Sequence, residues 1–530
     1  MNREKRYEKR YEQYEALDGW EKMTFCEHLK RWSRSFPEKT AIISGNETLT
    51  YQELEKRAEH TAFHLRELGI CEGDHVILQL PNRISFVVYL FALSWLGAVP
   101  IMALPAHREA ELNGIAEIAR PSAYIGADKY LGFSYRKMAD NLQNKYSFIK
   151  NVILDGEESH TWGTGSRPAV FEPRNTDPYG TAILLLSGGT TGVPKLIPRT
   201  HADYMYDAKK ASERCGLDER TIFLAVLPVP HNFSLGNPGI LGTLMNGGTV
   251  VMASSTSPDE VFPLIEKHGV TVMPLVPSLV SLYLEVLEWD DSCDLTSLKT
   301  IWVGGAMFEE KTARRVKTDF GCRLQQVFGT AEGLNCFTAL DDPEDIACTC
   351  QGRPISEADE MKIVDENGME TEPGCYGELL IRGPYTIDGY YKLPEANRKY
   401  FTGDGYYRTG DRAMITTEGN LRMGGRIVEQ INRAGEKIMP AEIEGYLIGH
   451  EDILEAAVIG VPDEELGHRI CAFLKTRDDV SMTLKEVTEF LKRMGTAQYK
   501  LPDQVEIIGA WPLTSVGKIN KKALVQMADH

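Results

Sequence analysis

The sequence has few features of a secreted protein or of a metal-binding module. Its ten cysteines are scattered, and only Cys348 and Cys350 lie close together, with no second pair of ligands nearby. The amino terminus, MNREKRYEKRYEQYE, is charged and lacks the apolar core of a signal peptide. These absences argue against a disulfide framework and a zinc site, and they predict a reduced, cytoplasmic setting.

Excess positive charge and unbroken apolar length are also missing. Lysine and arginine number 58 against 76 aspartate and glutamate residues, a net charge of −18, which argues against nucleic acid or an anionic membrane as a partner. Residues 84–106 carry no charge and are long enough to span a bilayer. Because Gly97 and Pro100 divide this run, we expect a buried helix, ISFVVYLFALSWL, followed by a strand, AVPIMAL.

The chain does contain a repeated strand–helix–strand rhythm. DHVILQL, GGTVVMA and LKTIWVGG each resemble a strand that leads into a helix and a further strand. This alternation predicts an α/β fold of parallel sheets, with ligand-binding loops at the carboxyl ends of the strands. Past residue 350, short strands with Gly and Asn turns predict a β-rich subdomain. We predict a large N-terminal domain of stacked parallel sheets and helices that includes this subdomain (1–425), and a small, mobile α+β domain (426–530).

The stretch LLLSGGTTGVPK predicts a phosphate-binding loop after a buried strand. Its glycines free the backbone for close approach to a ligand, and successive N–H groups can wrap an anion while Lys195 adds charge. An ordinary polar loop is the alternative. The stretch is not a Walker A loop, because Val193 and Pro194 separate the last glycine from the lysine.

Six motifs, in order, resemble a known family. They are LLLSGGTTGVPK, PHNF, VFGTAEG, GELLIRGP, YRTGD and GRIVEQINRAGEKI, with a terminal PLTSVGKINKKAL. Together they resemble the adenylate-forming superfamily of acyl-CoA synthetases, luciferases and peptide-synthetase adenylation domains over nearly the whole chain. KLIPRTHADY, VFGTAEGL and GPYTIDGYY look most like the stand-alone aryl-acid adenylating enzymes of siderophore synthesis, of the 2,3-dihydroxybenzoate or salicylate-AMP ligase type.

The resemblance implies a two-step reaction that uses ATP and Mg²⁺. An aryl carboxylate attacks the α-phosphate, pyrophosphate leaves, and a thiol then attacks the acyl-adenylate. 2,3-Dihydroxybenzoate and salicylate are the expected substrates, with a heteroaryl acid such as 3-hydroxypicolinate as an alternative. We expect an aryl carrier protein to supply its phosphopantetheine thiol in trans, because no GGxS attachment signature follows. An aromatic acid–CoA ligase would share every catalytic residue, and a non-catalytic nucleotide-binding protein is a third alternative.

The resemblance also implies the residues of the ATP site. Glu332 would hold Mg²⁺, Thr330 would touch the α-phosphate, Asp411 would bind the ribose hydroxyls, and Lys518 would bridge the substrate carboxylate and the α-phosphate. A solvated loop acid, a structural turn and an exposed tail lysine are the plain alternatives for Glu332, Asp411 and Lys518. The other implied ATP-binding residues are Ser187, Gly188, Gly189, Thr190, Thr191, Gly192, Lys195, Gly304, Gly305, Ala306, Val327, Phe328, Gly329 and Arg426.

The acyl and thiol sites follow from the same resemblance. Gly435 and Lys437 would line the pantetheine tunnel, and Val428 stands at the hinge position, where the family usually carries Lys or Asp. Residues expected at the aryl acid are His231, Asn232, Phe233, Asn237, Gly305, Leu334, Asn335 and Lys518. His231 has a second interpretation as a core histidine. Asn237 and Asn335 depart from the siderophore pattern, so either they pair with each other or the substrate offers them a polar partner.

Overall fold

The computed structural model describes residues 11–155, 171, 177–187, 194–433, 436–463, 466–477, 480–494, 496, 498–514 and 517–528. Helices and strands alternate through the first of these stretches. In chain order they are α1 (Phe25–Ser35), β1 (Thr40–Ser44), β2 (Glu47–Thr50), α2 (Tyr51–Glu67), β3 (His75–Gln79), α3 (Ile84–Leu96), β4 (Val99–Met102), α4 (Glu109–Ala119), β5 (Ala123–Ala127), β6 (Lys129–Tyr130), β7 (Phe133–Ser134), α5 (Tyr135–Lys145) and β8 (Asn151–Asp155).

A six-stranded sheet contains four of these strands and two later ones, β9 (Thr181–Leu186) and β10 (Leu196–Thr200). The order is β10-β9-β4-β3-β5-β8, and every pair is parallel except β9–β10. The uncharged run 84–106 forms α3 and β4, as predicted. Gly97 ends α3 in the left-handed conformation, with a φ of +71°. Among the residues described, no helix has the length and apolar character needed to cross a membrane.

A nine-stranded sheet forms the second layer, in the order β17-β16-β15-β14-β13-β11-β12-β1-β2. The strands from β15 to β1 in this order are parallel, whereas β2, β16 and β17 pair antiparallel at the two edges. The elements of this region are α6 (His201–Cys215), β11 (Ile222–Ala225), α7 (Asn232–Leu235), α8 (Gly239–Met245), β12 (Thr249–Met252), α9 (Pro258–His268), β13 (Val272–Leu275), α10 (Pro277–Leu287), β14 (Thr300–Gly304), α11 (Glu310–Asp319), β15 (Arg323–Thr330), β16 (Gly333–Phe337), α12 (Glu344–Thr349) and β17 (Arg353–Pro354).

A four-stranded antiparallel sheet follows, in agreement with the predicted β-rich region. It has the order β18-β19-β20-β21. Its elements are β18 (Glu360–Val364), β19 (Gly377–Arg382), α13 (Pro394–Tyr400), β20 (Tyr407–Ile415) and β21 (Leu421–Arg426).

The remaining residues form an α+β unit with its own buried clusters. These clusters contain only side chains from residues 431–528, whereas one large cluster joins both big sheets with the antiparallel one. After a 3₁₀ turn (Ile427–Glu429), the elements are β22 (Ile431–Arg433), β23 (Glu436–Ile438), α14 (Pro440–Leu447), β24 (Ile453–Asp463), β25 (Gly467–Thr476), α15 (Leu484–Arg493), a second 3₁₀ turn (Gln498–Lys500), β26 (Gln504–Ile507) and α16 (Lys521–Ala528). The predicted α/β architecture with a smaller C-terminal unit is confirmed.

Candidate active site

The site begins where two neighbouring parallel strands end. β14 and β15 run side by side with Gly304 opposite Val327, and a Cβ on Gly304 would stand 2.9 Å from the Val327 carbonyl oxygen. Gly305 follows with a φ of +89°, which glycine adopts without strain. The two glycines let the β14 backbone lie against β15 and then turn, and they leave Gly305 and Ala306 exposed.

The last residues of β15 pass from the core to the surface. Val327 is buried, Phe328 is half-buried and Gly329 is exposed. The Thr330 hydroxyl donates a hydrogen bond to the Gly333 carbonyl oxygen and so closes the turn between β15 and β16. The predicted ATP-binding residues of this strand therefore lie at the same sheet edge as Gly304 and Gly305.

The turn that carries Glu332 is pressed against the chain near residue 386. Gly333 has a φ of +141° and Leu334 a φ of +52°, and a Cβ on Gly333 would stand 2.4 Å from the Thr386 Cα. The Ile387 amide donates to the Glu332 carbonyl oxygen at 2.7 Å. Leu334 is buried, and the Glu332 side chain is only 8% exposed. The backbone on both sides of Glu332 is thus fixed by packing.

The Glu332 carboxylate lies at one end of a cluster of tyrosines that reaches a lysine. The Tyr390 hydroxyl donates to Glu332 Oε1 at 2.8 Å and lies 3.0 Å from the Tyr407 hydroxyl. Lys195 Nζ lies 3.5 Å from the same Tyr390 oxygen and 4.0 Å from the centre of the Tyr400 ring. Burial, together with the neighbouring Glu332 carboxylate, raises the pKa of Tyr390 well above its ordinary value, so this phenol keeps its proton.

Two hydrogen bonds join the two ends of the predicted phosphate loop. The Ser187 amide donates to the Lys195 carbonyl oxygen at 3.0 Å, and the Lys195 amide donates to the Ser187 hydroxyl at 3.0 Å. This double contact holds the ends of β9 and β10 side by side. The glycines and threonines between them lie outside the described residues: Gly188, Gly189, Thr190, Thr191 and Gly192.

Asp411 is a buried carboxylate that pairs with Arg426. It stands opposite Arg426 across β20 and β21, its side chain is 7% exposed, and Arg426 Nε lies 3.2 Å from Asp411 Oδ1. Burial raises the pKa of Asp411 to about 6 although Arg426 opposes that change. At neutral pH Asp411 is therefore ionised and can only accept hydrogen bonds.

Lys518 reaches the exit of β14 from the C-terminal unit. Its Nζ lies 3.8 Å from the point where a Cβ of Gly305 would stand. The Gly517 carbonyl oxygen accepts from the Ser278 hydroxyl at 3.0 Å, which attaches this segment to the large unit. Burial and the nearby Arg426 cation lower the pKa of Lys518 to about 8. The structure thus brings together Lys518, Gly305 and the Asp411–Arg426 pair, which are far apart in sequence.

The residues predicted for the aryl acid lie around the short helix α7. His231 caps this helix by accepting from the Phe233 amide at 3.2 Å, and burial lowers the pKa of His231 to about 4. The Asn232 side-chain oxygen, Oδ1, accepts from the Tyr204 hydroxyl at 2.9 Å. Gly236 lets the Tyr204 ring come this close, because a Cβ there would stand 2.5 Å from the ring. Asn232 therefore turns its amide nitrogen, a donor, away from Tyr204.

Asn237 and Asn335 bond to each other, which was one of the two alternatives raised by the sequence. The Asn237 amide nitrogen donates to Asn335 Oδ1 at 2.5 Å, and the Asn335 amide nitrogen donates to Asp207 Oδ1 at 2.6 Å. Burial raises the pKa of Asp207 to about 6, so the group is ionised at neutral pH and accepts only. Arg199 pairs with Asp207 at 3.1 Å and with Asp203 at 2.8 Å.

This chain of contacts fixes the orientation of both amides. Because Asp207 can only accept, the nitrogen of Asn335 faces it and the oxygen of Asn335 faces Asn237. Asn237 must then present its own nitrogen to Asn335. Its carbonyl oxygen is buried and has no partner among the residues described. Each amide nitrogen has an acceptor, and the pair leaves one acceptor atom, Asn237 Oδ1, without a partner in the part of the chain that the structure describes.

Three further predicted residues belong to the start of the C-terminal unit. Gly435 lies outside the described residues, and the side chains of Lys437 and Val428 are not among those described. Their predicted roles in the pantetheine tunnel and at the hinge remain predictions.

Sequence reasoning missed five residues that hold the site together: Arg199, Tyr204, Asp207, Tyr390 and Tyr407. Four of them stand inside motifs quoted for the resemblance, KLIPRTHADY, GPYTIDGYY and YRTGD. The fifth, Asp207, had a weaker signal. Asp203 and Asp207 stand four residues apart in α6, a spacing that puts two side chains on one face of a helix, and Arg199 precedes them in β10.

Two family models match the chain. Residues 29–391 match the model described as AMP-binding enzyme, and residues 442–518 match the one described as AMP-binding enzyme C-terminal domain. The first match contains Glu332, Lys195 and the whole acyl region, and the second ends at Lys518.

Curated relatives match over nearly the full length. The 2,3-dihydroxybenzoate-AMP ligase of Bacillus subtilis (strain 168) is 44% identical over 517 residues, which cover 97% of this chain and 95% of that protein. The salicyl-AMP ligase / salicyl-S-ArCP synthetase of Mycobacterium tuberculosis (strain ATCC 25618 / H37Rv) is 42% identical over 527 residues, which cover 97% of this chain and 92% of that protein. Among solved structures, that of Mycobacterium smegmatis MbtA without ligand is 38% identical with a TM-score of 0.75, covering 98% of this chain and 97% of that one.

Proposed function

The chain belongs to the AMP-binding enzyme family, and we propose that it is a ligase that joins an aryl carboxylic acid to AMP and then passes the acyl group to a thiol. The observation that carries this proposal is the position of Lys518. A lysine from the C-terminal unit lies against the exposed Gly305 backbone, beside the Asp411–Arg426 pair. A cation placed there can stabilise the negative charge that builds up when a carboxylate attacks a phosphate.

In the first step, a carboxylate oxygen of the acid attacks the α-phosphorus of ATP. The bond from that phosphorus to the oxygen shared with the β-phosphate breaks, and pyrophosphate leaves. Lys518 neutralises charge on the carboxylate and the α-phosphate, Lys195 and the 187–195 loop bind the outer phosphates, and Asp411 accepts hydrogen bonds from the ribose hydroxyls. These residues act by orientation and electrostatics, since none of them forms a covalent bond.

A divalent cation fits the site as a partner of ATP. The described residues include no group of three or more His, Cys, Asp or Glu side chains that could hold a metal by itself. Glu332 offers a single buried carboxylate, which Tyr390 connects to Lys195, and Mg²⁺ commonly takes one or two carboxylates and completes its shell with phosphate oxygens and water. When bound with ATP, the cation supplies charge neutralisation on the phosphate oxygens.

The acid that fits best carries a hydroxyl beside its carboxylate and a second one further along the ring. We expect the Asn232 amide nitrogen to donate to the carboxylate edge or to an ortho-hydroxyl oxygen, because the Asn232 Oδ1 atom is already bonded to Tyr204. Asn237 Oδ1 needs a donor, which a second ring hydroxyl would supply. 2,3-Dihydroxybenzoate offers both groups, whereas salicylate and 3-hydroxypicolinate would leave Asn237 without a partner. The name of the Bacillus subtilis relative agrees with this choice.

In the second step, the sulfur of a thiol attacks the acyl carbon, and AMP leaves. We propose the phosphopantetheine of an aryl carrier protein as the thiol, as the name of the Mycobacterium tuberculosis relative indicates for that protein. Such a carrier protein would place this chain in siderophore or related nonribosomal peptide synthesis.

ATP–pyrophosphate exchange tests the first step. Purified protein is assayed with Mg²⁺ and with 2,3-dihydroxybenzoate, salicylate, 3-hydroxypicolinate, benzoate and the twenty standard amino acids. We expect exchange to be highest with 2,3-dihydroxybenzoate, lower with salicylate, and at background with benzoate and amino acids. Exchange with an amino acid alone, or with none of the panel, would contradict the proposal.

Acyl transfer tests the second step. A holo-carrier protein and coenzyme A are offered separately to the loaded enzyme, and the thioester is measured by mass spectrometry. We expect the carrier protein to be acylated much faster. Faster acylation of coenzyme A would make the chain an aromatic acid–CoA ligase with the same first step.

A further inference from the structure

Tyr390 belongs to the GPYTIDGYY motif and has no role in the reaction as described above. Its hydroxyl nevertheless lies between two groups of the proposed ATP site. It donates to Glu332 Oε1 at 2.8 Å and lies 3.5 Å from Lys195 Nζ. Among the residues described, it is the one side chain that contacts both Glu332 and Lys195, and it is buried.

The segment that carries Tyr390 is attached to both sides of the site. Upstream, the Ile387 amide donates to the Glu332 carbonyl oxygen at 2.7 Å, and downstream the Tyr391 amide donates to the Leu196 carbonyl oxygen at 2.9 Å. One short segment therefore connects the Glu332 turn to β10, directly beside Lys195.

The backbone of Tyr390 is itself held by one side chain. Asn397 accepts from the Tyr390 amide at 2.7 Å through its oxygen and donates to the Tyr390 carbonyl oxygen at 3.1 Å through its nitrogen. Gly389 allows this approach, because a Cβ there would stand 2.8 Å from the Asn397 nitrogen. A residue fixed in this way places its hydroxyl at one point in space.

The number of protons on a phenol determines which of its bonds the Tyr390 hydroxyl donates and which it accepts. A phenol has one proton to donate, and Tyr390 gives it to Glu332. Its oxygen can then accept from the Tyr407 hydroxyl, which lies 3.0 Å away, and from the Lys195 ammonium, which lies 3.5 Å away. The neutral Tyr390 hydroxyl thus contacts both the anionic Glu332 and the cationic Lys195.

We propose that Tyr390 is a positioning residue for the divalent cation that accompanies ATP: its hydroxyl holds the Glu332 carboxylate in the orientation in which that carboxylate binds the ion. The inference rests on the proposed function, because it assumes that Glu332 is the residue that meets the cation. Without the bond, the carboxylate keeps its hydrogen bond with Tyr407 but is held less firmly against rotation about its last torsion. A partner that orients a metal-binding carboxylate is commonly worth about 10- to 100-fold in metal affinity.

Metal binding, measured without turnover, tests the inference. Mn²⁺ binding to the full-length protein is followed by electron paramagnetic resonance in the presence of a non-hydrolysable ATP analogue. Tyr390→Phe removes the hydroxyl and keeps the ring, and we expect it to weaken Mn²⁺ binding by about 10- to 100-fold. The Mg²⁺ concentration needed for half-maximal ATP–pyrophosphate exchange should rise in parallel, while the KM of the aryl acid stays unchanged.

Tyr400→Phe is the matched control. It also removes a phenol hydroxyl and keeps a ring beside Lys195, but no described contact joins it to Glu332, so it should bind Mn²⁺ as the wild type does. Wild-type Mn²⁺ affinity in Tyr390→Phe would overturn the inference even if the rate of exchange fell. So would an equal loss in both variants, since that would point to general loosening.

A double-mutant comparison tests whether Tyr390 acts through Glu332, and two further measurements cover misfolding and failure of the proposed function. In a Glu332→Gln background, adding Tyr390→Phe should cause no further loss of Mn²⁺ affinity; a further loss overturns the inference. If Tyr390→Phe fails to fold, Asn397→Ala replaces it, because it removes the two bonds that fix the Tyr390 backbone. It should weaken Mn²⁺ binding in the same direction, with wild-type affinity as the contrary result. If the wild type shows no Mg²⁺-dependent exchange with any acid, the proposed function fails first, and the inference falls with it.

Discussion

Two residues of the site have pKa values that lie on either side of neutrality. Burial raises the pKa of Asp411 to about 6, and burial with Arg426 nearby lowers that of Lys518 to about 8. The proposed chemistry needs Asp411 as an anion and Lys518 as a cation. Both conditions are met only between these two values, so the site is poised for activity near neutral pH.

We therefore expect a bell-shaped pH profile for ATP–pyrophosphate exchange. The rate should fall below about pH 6, as Asp411 is protonated, and above about pH 8, as Lys518 loses its proton. In Lys518→Arg the guanidinium stays charged, so the remaining activity should lose its alkaline limb and keep its acid limb. An alkaline limb at the same pH in both proteins would assign it to another group.

The buried oxygen of Asn237 leads to a prediction about substrate choice. In Asn237→Ala the unpartnered acceptor is gone, so the advantage of 2,3-dihydroxybenzoate over salicylate in kcat/KM should shrink by about tenfold, since an unpaired buried polar group costs about 1–3 kcal/mol. Asn232→Ala is the control and should impair both acids alike. An unchanged ratio in Asn237→Ala would leave Asn237 as a packing residue.

At the residue scale, the sequence predicted identities better than contacts. Glu332, Asp411 and Lys518 stand in motifs, and the structure brings Lys518 beside Gly305 and Asp411 beside Arg426, although their roles in binding remain proposals. For Asn237 and Asn335 the sequence left two alternatives open. The choice depends on Asp207, which is 128 residues from Asn335 along the chain, and no local pattern reports a contact of that range.

At the scale of single elements, the turn between β15 and β16 shows how packing places a side chain. Gly333 combines a φ of +141° with a position where a Cβ would meet the Thr386 backbone. Any larger residue must therefore push the turn away from residues 386–387. Because the Ile387 amide bonds to the Glu332 carbonyl, this displacement would also move Glu332.

We expect Gly333→Ala to lower the free energy of unfolding by about 2–4 kcal/mol, from a strained backbone plus overpacking. Exchange activity should fall with it. Gly321→Ala is the comparison, because Gly321 also has a positive φ, +67°, but a Cβ there meets nothing within 4 Å; it should cost about 1–2 kcal/mol and leave exchange intact. Urea unfolding and exchange assays on both variants measure the difference. Equal effects would show that the contact with Thr386 is unimportant.

Elements with a strong local pattern were predicted well. The strand Thr181–Leu186 and the helix Ile84–Leu96 consist almost entirely of apolar residues, a pattern that predicts buried elements. Gly97 ends the helix. The strand Leu196–Thr200 was not predicted, since it contains a proline and Arg199, which is fully buried. Burial of that arginine depends on Asp203 and Asp207 from the next helix, a tertiary effect that overrides the local pattern.

On the scale of the whole molecule, two sets of ion pairs flank the predicted hinge. Arg426 pairs with Asp411 in the large unit. Three residues later, Glu429 pairs with Lys521 of α16 at 3.1 Å, and Lys521 also meets Glu444 of α14 at 2.8 Å. The ion pair of Arg426 holds the chain to the large unit, and the ion pair of Glu429 holds it to the C-terminal unit. Only the 3₁₀ turn Ile427–Glu429 separates the two. Motion between the units would have to occur across this turn, which includes Val428.

The two proposed steps should separate under mutation, because the proposal assigns them to different parts of the C-terminal unit. Lys518→Ala should slow adenylate formation by about 10²- to 10³-fold, the usual cost of losing one group that stabilises transition-state charge. Transfer of the acyl group from supplied aryl-adenylate to the carrier protein should stay near the wild-type rate. Gly435→Leu should do the reverse, since a large side chain there would obstruct the predicted pantetheine tunnel. Single-turnover measurements of each step supply the four rates.

The pattern of those rates decides whether the C-terminal unit moves. If one arrangement of the two units served both steps, Lys518 would remain beside Gly305 while the thiol attacked, and its loss should slow both steps. If the unit rotates between them, each variant should damage one step and spare the other. A reciprocal pattern therefore supports rotation about the turn at 427–429, whereas equal loss of both steps in Lys518→Ala would mean that the arrangement seen here, with Lys518 at the exit of β14, serves the whole reaction.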